Sequence, residues 1–431
     1  MRANASMSSA PSCRLQCGDR RRQRGVVLIL AIFAVVLLSI LTVGITAAVR
    51  VELRASRSSL DRIQGLFLAE AGIRRARAIL LYDDPKLDAL DDPWGPYYTQ
   101  PLDLPHQFGD GFYRVRVEDA CGRIDVNKAD LETLLRVTGD ADAAQAIVAW
   151  RSPIQGEEKS YYESLPYPYR PRGGPFQTLG ELLLVRSVTT DMYFGGNGRP
   201  GLKDLLVVEA ISPNTDANGD LRFGLNEFRN WGEEAFRKAV VAKFSTIFTA
   251  YEATDIGTQI FAGLTDLNKL GQQYTAISQL ATVAGVSYDK IMRLIDYVTA
   301  EPGLFVRGLV NINTAPLAVL AALPGSSAEL AQAVVARREA VPFASLGEFA
   351  GFLINLPRGT EAFSEIIDYV NVKSSTFIIE SMGYPGEGRG FRTLRALARR
   401  RRDQVEVVQQ GEEDWPLPPV LAQAQRLSAR R

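Results

Sequence analysis

The longest apolar stretch of the chain lies close to its N-terminus. After the basic run at residues 20–24, no charged residue occurs over the 24 positions from Val26 to Val49. In helical rise this stretch spans roughly 36 Å, enough to cross a bilayer core of about 30 Å. It exceeds the roughly 7–15 apolar residues of a secretory signal. No small-x-small cleavage site follows it, so we predict a membrane helix that stays in the mature protein.

Apolar positions then continue at near-heptad spacing. They fall at Leu53, Leu60, Ile63, Phe67, Ile73 and Leu80, with charged residues between them. This amphipathic stripe predicts that the helix extends over residues 26–82 and ends at Asp83-Asp84-Pro85. Two interpretations are open at this point. The helix is either a signal anchor with a linker, or a pilin-type stalk whose second half packs on an antiparallel sheet.

Period-two alternation predicts strands on both sides of a long helical region. Residues 111–119 alternate apolar and charged side chains, and residues 376–382 form a second apolar run. A glycine-rich turn at 385–390 separates this run from further strand candidates at 392–398 and 405–408. The arginines at 399–402 are predicted to lie in a solvated strand end or loop.

The helical region contains an internal repeat. Residues 124–134 resemble residues 310–320, residues 144–149 match 331–336, and residues 175–181 match 342–348. Each copy predicts two helices joined at Gly139 or Gly325, with Asn127 and Asn313 as N-caps. The copies span 124–182 and 310–349, and a weaker copy spans about 264–298. This pattern is typical of helix-hairpin-helix units.

Composition argues against nucleic-acid binding and against catalysis. Lysines plus arginines equal aspartates plus glutamates, 49 each. DNA-binding hairpins carry basic residues near the turn, but residues 138–142 and 324–329 have none. The single histidine, His106, excludes an HExxH zinc site and is interpreted as a loop residue, and no P-loop occurs. Cys121 is predicted to be a small buried hydrophobe. We predict no enzymatic activity.

One loop between the repeats has the spacing of a calcium site. Oxygen-bearing side chains stand at positions one, three, five and twelve of an EF-hand-like loop, namely Asp216, Asn218, Asp220 and Glu227. Leu221 replaces the glycine that normally makes the sharp turn. A register starting at Asn214 restores Gly219 at that position but loses Glu227. The alternative is a polar turn that caps a helix from Leu225 onward.

The junction between the basic run and the apolar stretch has the layout of a type IV prepilin leader. A peptidase would cut after Gly25 and leave Val26, which is then expected to be methylated, as the new N-terminus. The fifth mature residue is Leu30, where most pilins have a glutamate that offsets the N-terminal amine of a neighbouring subunit. A subunit without it is poorly suited to a filament shaft but could occupy the filament end.

Together these features resemble the minor pseudopilin K of type II secretion, the general secretion pathway protein K family. The blocks that carry the resemblance are Arg123-Ile-Asp-Val-Asn127, Ala149-Trp150-Arg151, Phe176-Gln-Thr-Leu-Gly-Glu-Leu182 and Val310-Asn-Ile-Asn-Thr-Ala-Pro316. The resemblance implies an α+β fold, in which a pilin helix packs on an antiparallel sheet and a helical domain is inserted between strands.

On this basis we predict a leader at 1–25 and a stalk helix at 26–82. The β-domain is predicted at 83–120 and 371–410, the inserted helical domain at 121–370, and a disordered tail at 411–431. The resemblance also implies calcium in the helical domain. It does not identify the ligands, because Arg151 and Ser152 replace acidic residues that the family usually has beside Glu157 and Glu158.

The function implied is that of a non-catalytic subunit at the pseudopilus tip, which helps to initiate pseudopilus assembly and protein export across the outer membrane. The expected partners are the other minor pseudopilins, the major pseudopilin, the prepilin peptidase, the inner-membrane platform, and secretin or exported substrates. The expected location is the bacterial inner membrane, with a cytoplasmic N-terminus and a periplasmic C-terminal domain. Two alternatives stay open: a membrane-tethered DNA-uptake protein and a minor subunit of a type IV pilus.

Overall fold

The structure is a computed structural model, and it describes residues 20–99, 105–153, 155–196, 198–227, 232–386 and 390–412. The chain divides after Ile63 into two compact units, residues 1–63 and 64–431. The predicted leader, 1–25, and the predicted tail, 411–431, lie largely outside the described residues, as do Cys13 and Cys17.

The described helices and strands follow in chain order. The helices are α1 (Arg20–Tyr82), α2 (Gly95–Thr99), α3 (Leu131–Thr138), α4 (Ala141–Trp150), α5 (Gly156–Glu163), α6 (Thr190–Phe194), α7 (Leu202–Leu205), α8 (Glu233–Phe244), α9 (Ala250–Lys269), α10 (Tyr288–Leu294), α11 (Leu317–Ala322), α12 (Ala328–Ala340), α13 (Leu346–Ile354) and α14 (Gly359–Ile366). Short 3₁₀ turns occur at Ala120–Gly122, Leu179–Leu184, Ser278–Thr282 and Ile367–Tyr369. The strands are β1 (His106–Phe108), β2 (Gly111–Asp119), β3 (Ile124–Asp125), β4 (Gly195–Gly196), β5 (Arg199–Pro200), β6 (Leu206–Val207), β7 (Ile211–Pro213), β8 (Phe223–Gly224), β9 (Val298–Thr299), β10 (Phe305–Arg307), β11 (Val310–Asn311), β12 (Val370–Asn371), β13 (Thr376–Pro385), β14 (Arg392–Arg400) and β15 (Val405–Glu412).

The first unit contains the apolar part of α1. Among the described residues, α1 supplies the one helix that is long and apolar enough to cross a membrane, over Val26–Tyr82. Its side chains from residue 26 to residue 60 are all exposed. The hydroxyls of Ser39, Thr42 and Thr46 each donate to a backbone carbonyl four residues earlier, at 2.7 Å. These bonds satisfy the few polar groups of the segment, as an apolar environment requires.

The second unit contains an antiparallel sheet in the order β1-β2-β13-β14-β15. Its two central strands are distant in the sequence, because β2 pairs with β13 from Gly111↔Pro385 to Phe377↔Asp119. The chain therefore leaves the sheet after β2, forms the helical region and returns as the neighbouring strand. The α+β fold class is confirmed.

The last part of α1 packs on this sheet through small residues. Ala69 and Ala76 are fully buried. A Cβ atom added to Gly383 of β13 would lie 2.2 Å from the backbone of both Gly65 and Ala69, and one added to Gly72 would lie 2.1 Å from Ser381 Oγ. Helix and strand therefore approach each other at backbone distance.

The predicted apolar stripe is only partly the packing face. Ile73 and Leu80 are buried, but Phe67 is 64% exposed and Leu60 is 58% exposed. Because backbones meet at the interface, its centre takes glycine and alanine. The larger side chain of Phe67 stays exposed, so only part of the amphipathic stripe forms the packing face.

The inserted region contains three units of the same construction. In each unit a two-residue strand pairs in parallel with a later two-residue strand: β3 with β6, β8 with β9, and β11 with β12. A pair of helices follows the first strand, α3–α4, α8–α9 or α11–α12. We refer to residues 124–207, 223–299 and 310–371 as units A, B and C.

An asparagine two residues after the first strand holds each unit together. Its amide donates to the carbonyl, and its oxygen accepts from the N–H, of one aromatic residue further along the chain. The pairs are Asn127 with Phe176, Asn226 with Tyr274, and Asn313 with Phe343, at 2.7–3.0 Å. Because both groups of an amide side chain are used, this asparagine clamp fixes two segments that the sequence separates.

These clamps correct several predictions. Asn127 and Asn313 are not N-caps, because Asp130 caps α3 and Pro316 precedes α11. The weaker predicted copy at 264–298 covers only the second half of unit B. The helix expected from Leu225 does not begin there; residues 225–227 form a turn and α8 begins at Glu233. Gly139 does end α3 in the left-handed conformation, with φ of 67°.

Candidate functional site

The predicted leader junction lies in the first unit. Gly25 and Val26 are both within α1, where Val26 is 57% exposed and Leu30 is 61% exposed. Leu30 has no carboxylate to pair with an amine, whatever its surroundings. Cleavage after Gly25 stays a prediction, because a structure of the uncut chain does not test it.

The predicted calcium loop is a tight hairpin. Thr215 and Leu221 form an antiparallel bridge, and Gly219 adopts a φ of 88° between them. Asp216 is 1% exposed, and one carboxylate oxygen accepts from the backbone N–H groups of Asn218 at 2.8 Å and Asp220 at 3.1 Å. Its side chain therefore organises the turn from inside.

The other oxygen of Asp216 lies 2.7 Å from Nζ of Lys243. An ammonium group thus occupies the position that a cation would take on this carboxylate. The side chains of Asn218, Asp220 and Glu227 are exposed, and Asn218 and Asp220 contact the Asp216 carboxylate only through their backbone N–H groups. In this arrangement the four residues do not fit a calcium ion.

The strongest concentration of buried charge lies where the inserted region joins the sheet. Asp119, at the end of β2, is 2% exposed and accepts four hydrogen bonds. The donors are the Cys121 backbone at 2.8 Å, Asn311 Nδ2 at 2.9 Å, Thr314 Oγ1 at 2.6 Å and Ser374 Oγ at 2.7 Å. Burial raises the pKa of the Asp119 carboxyl, and these donors oppose that rise. Asp119 thereby ties β2 to unit C.

Arg400, at the end of β14, completes this cluster. Its guanidinium donates to Asp88 at 2.6 and 2.7 Å and to Asp83 at 2.9 Å. Asp88 is fully buried and also accepts from the Ser374 N–H at 2.7 Å. Burial raises the pKa of Asp88 to about 7, against the opposing effect of Arg400. We call Asp83, Asp88, Asp119, Asn311, Ser374 and Arg400 the junction network.

The junction network is not free to bind a metal. The carboxylates of Asp83, Asp88 and Asp92 have oxygens within 4.8 Å of one another. However, Arg400 bonds to the first two, and Asp92 accepts from the Ala89 N–H at 2.7 Å. The network instead connects the loop after α1, the sheet and the inserted region. Its hydrogen bonds and ion pairs hold the inserted region against the sheet.

The four-arginine run divides into different environments. Arg399 pairs with Glu209, Arg400 is 4% exposed, Arg401 lies 3.4 Å from Glu406, and Arg402 is exposed. The prediction of a solvated run is therefore wrong for Arg400. Its burial is possible because two aspartates from the loop after α1 neutralise it, and the Phe377 ring lies 5.1 Å from its guanidinium.

The remaining predicted residues have structural surroundings. His106 lies in β1 rather than in a loop, with its ring between those of Tyr97 and Tyr113. Burial and Arg75 lower its pKa. Cys121 is fully buried, as predicted, and its thiol lies 3.3 Å from the Ile211 carbonyl oxygen. Burial raises the pKa of this thiol, so it is not poised as a thiolate.

Models of a known protein family match segments of two of the three repeated units. One family model of type II secretion system protein K matches residues 126–194, and a second model of the same description matches residues 310–363. Within these two ranges the chain is similar to type II secretion system protein K. The resemblance inferred from the sequence is thus confirmed. The matched ranges fall within units A and C, while unit B, which has the same asparagine clamp, lies outside them.

A solved structure is also similar to this chain. It is a chain of the GspK-GspI-GspJ complex of the type 2 secretion system from enterotoxigenic Escherichia coli. It is 13% identical, with a TM-score of 0.45, and the match covers 84% of this chain and 100% of that chain. No curated protein matches the chain. The similarity to protein K rests on the two family models.

Sequence reasoning missed most of the junction network. The repeat contained one indication of buried polar contacts. The second residue of the first strand is polar in both unit A and unit C, where it is Asp125 and Asn311. Asp125 accepts from the backbone N–H of Ala210 at 3.0 Å, and Asn311 donates to Asp119 at 2.9 Å. Polar residues in buried strands need such partners. Their partners could not be read from local sequence.

Proposed function

We propose that the protein is the minor pseudopilin that caps the type II secretion pseudopilus, where it helps to initiate assembly and thereby protein export. It acts as a structural subunit rather than as an enzyme. The observation that carries this proposal is the inserted region, residues 120–375, which leaves the sheet between the adjacent strands β2 and β13. A projection of this size at every subunit would oppose the close stacking of a filament shaft.

Leu30 supports the same position. In a shaft subunit, a buried carboxylate at this place would offset the amine of the next subunit, and an unpaired amine in an apolar core costs several kcal/mol, on the order of 3–5. A subunit at the tip has no further subunit to pair with. The absence of the carboxylate therefore costs nothing there.

The partners proposed are the other minor pseudopilins and the major pseudopilin in the filament, and the prepilin peptidase and the inner-membrane platform before assembly. Secretin and exported substrates are the partners proposed for the distal end. The apolar part of α1 is proposed to hold the protein in the inner membrane. The leader would be cytoplasmic and the second unit periplasmic.

The first experiment is mass spectrometry of the mature N-terminus in membrane extracts. We expect a terminus at Val26, methylated, in cells with an active prepilin peptidase and the intact leader in cells without it. The second is immunogold labelling of assembled pseudopili, where we expect label at filament ends only. Label along the shaft would contradict the tip position, and an intact leader in peptidase-positive cells would contradict the pseudopilin function.

Calcium binding by the hairpin at 216–227 is proposed only for a state in which Lys243 has left Asp216. Calorimetric titration with calcium chloride tests it on the full chain, on Lys243→Met and on Asp216→Asn. Heat that appears in the wild type or in Lys243→Met, and disappears in Asp216→Asn, supports the site. No heat in either of the first two proteins contradicts it.

A further inference from the structure

A groove of about 460 Å³ lies beside the junction network. It is bounded by the loop after α1, the calcium-loop hairpin, the turn before β10 and the turn between β14 and β15. Its lining includes Lys86, Leu221, Leu304, Phe305, Lys373 and Arg402. We call it the junction groove. Neither the membrane helix nor the asparagine clamps contribute to it.

The groove presents two leucines on rigid backbone. Leu304 is 63% exposed and Leu221 is 52% exposed. The Leu304 carbonyl accepts from the Asn214 N–H at 2.9 Å, and the Asn214 side chain donates to the carbonyls of Glu301 at 3.2 Å and Gly303 at 2.8 Å. Leu221 stands on the hairpin that Asp216 organises. Exposed leucines on backbone that is already ordered lose little entropy on binding, which is a property of contact sites.

The groove is also positively charged. Within the described part of the chain, no ion pair involves Lys86 or Arg402, and both are exposed. Lys373 is 4% exposed, and its ammonium donates to the carbonyls of Thr215 and Asp216 at 3.0 and 2.8 Å rather than to a carboxylate. Asp84 and Asp403 also line the groove and offset part of this charge. Arg400 and Arg401 also line the groove, but they pair with the two aspartates of the junction network and with Glu406. Three cations, Lys86, Lys373 and Arg402, therefore face two carboxylates, and this small net positive charge favours an acidic ligand.

We propose that the junction groove binds an acidic segment of a neighbouring pseudopilin, with apolar side chains on Leu221 and Leu304 and carboxylates facing Lys86 and Arg402. This inference rests on the proposed function, since it needs other pseudopilins beside the protein. A protein segment fits better than a nucleic acid or a lipid surface, because the two leucines and the cations line one concave groove. The charges would then set which partner docks and how fast.

Site-specific photo-crosslinking in secreting cells tests the proposal on the full chain. The photoreactive residue benzoylphenylalanine replaces Leu304 in the groove, Tyr251 on α9 as an exposed control, or Phe67 on α1 as a reporter of filament assembly. Tyr251 is 84% exposed and Phe67 is 64% exposed. We expect the Leu304 probe, but not the Tyr251 probe, to capture another pseudopilin at a segment with net negative charge, identified by mass spectrometry.

A pair of charge reversals provides the matched control. Lys86→Glu with Arg402→Glu should reduce capture at Leu304 at least about fivefold. Lys238→Glu with Lys269→Glu makes the same change in net charge at two exposed lysines of α8 and α9, and should leave capture unchanged. All four side chains are exposed, so both double variants should accumulate normally.

The outcomes separate the groove from the proposed function. Capture at Phe67 without capture at Leu304 overturns the groove proposal and leaves the pseudopilin function intact. Capture at Leu304 of a basic segment, of nucleic acid or of a second copy of this chain also overturns the groove proposal. No pseudopilin captured at either position, with the protein present at its normal level, counts against both.

Discussion

Replacing Arg400 by methionine is the most direct test of the junction network. Methionine keeps an unbranched apolar side chain but removes the guanidinium, and with it the positive charge and the contact with the Phe377 ring. Asp83 and Asp88, which are 7% and 0% exposed, then lose the cation that neutralises them. Because they cannot turn to solvent, the carboxylates must either stay charged in an apolar site or take up protons.

The expected cost follows from the burial of the pair. Removing one partner of a buried ion pair costs about 3–5 kcal/mol, because the other charge is left uncompensated. Arg400 is 4% exposed and bonds to both carboxylates at 2.6–2.9 Å, so we expect a loss in this range. The neighbouring Arg401 is exposed and lies 3.4 Å from Glu406, so Arg401→Met should cost less than about 1 kcal/mol.

Denaturant unfolding of the full chain in detergent, followed by tryptophan fluorescence, measures the difference. The pH dependence adds a second readout. Burial already raises the pKa of Asp88 to about 7 in the folded protein, from 3.8. Because this pKa is higher in the folded than in the unfolded protein, the protonated carboxyl stabilises the fold, and this stabilisation is lost as the pH rises above about 7. The defect of Arg400→Met should therefore be larger at pH 8 than at pH 5. Equal unfolding midpoints for the two arginine variants would refute this reasoning.

Three further predictions concern residues 64–431, the second compact unit. Gly383→Ala should destabilise the fold by about 1–3 kcal/mol in thermal unfolding, because the new Cβ would lie 2.2 Å from the α1 backbone. The control Gly411→Ala should be neutral, because its Cβ would meet nothing within 4 Å. Asn226→Ala should cost about 2–4 kcal/mol, since it opens the clamp of unit B, while the exposed Asn355→Ala should cost under about 0.5; equal midpoints would contradict the clamp. Burial raises the pKa of Asp125 to about 6, so the folded state is favoured while this carboxyl is protonated. Between pH 4 and pH 8 the wild type should therefore lose up to about 3 kcal/mol of unfolding free energy relative to Asp125→Asn. An unfolding free-energy difference between the two proteins that stays constant with pH would contradict that shift.

The elements that depend on residue periodicity could be predicted from local sequence patterns. The charge-free run from Val26 to Val49 identified the apolar part of α1, and alternation over residues 111–119 identified β2 with its bounds. Repeated blocks revealed units A and C. Only the second half of unit B was predicted, as the weaker copy at about 264–298, because its aromatic partner, Tyr274, does not follow the proline-phenylalanine pattern of the other two. Its clamp residue, Asn226, stood inside the region that was interpreted as a calcium loop.

By itself, the sequence determined the long apolar helix, four of the five strands of the sheet and the similarity to protein K, because these follow from spacing along the chain. Only the tertiary structure decided which of four consecutive arginines is buried, and that Lys243 pairs with Asp216. Both outcomes depend on charges that meet through folding: Arg400 pairs with aspartates more than 300 positions away, at a separation of 312 for Asp88. The free energy of a charge is set by its neighbours in space, and the order of residues does not specify those neighbours.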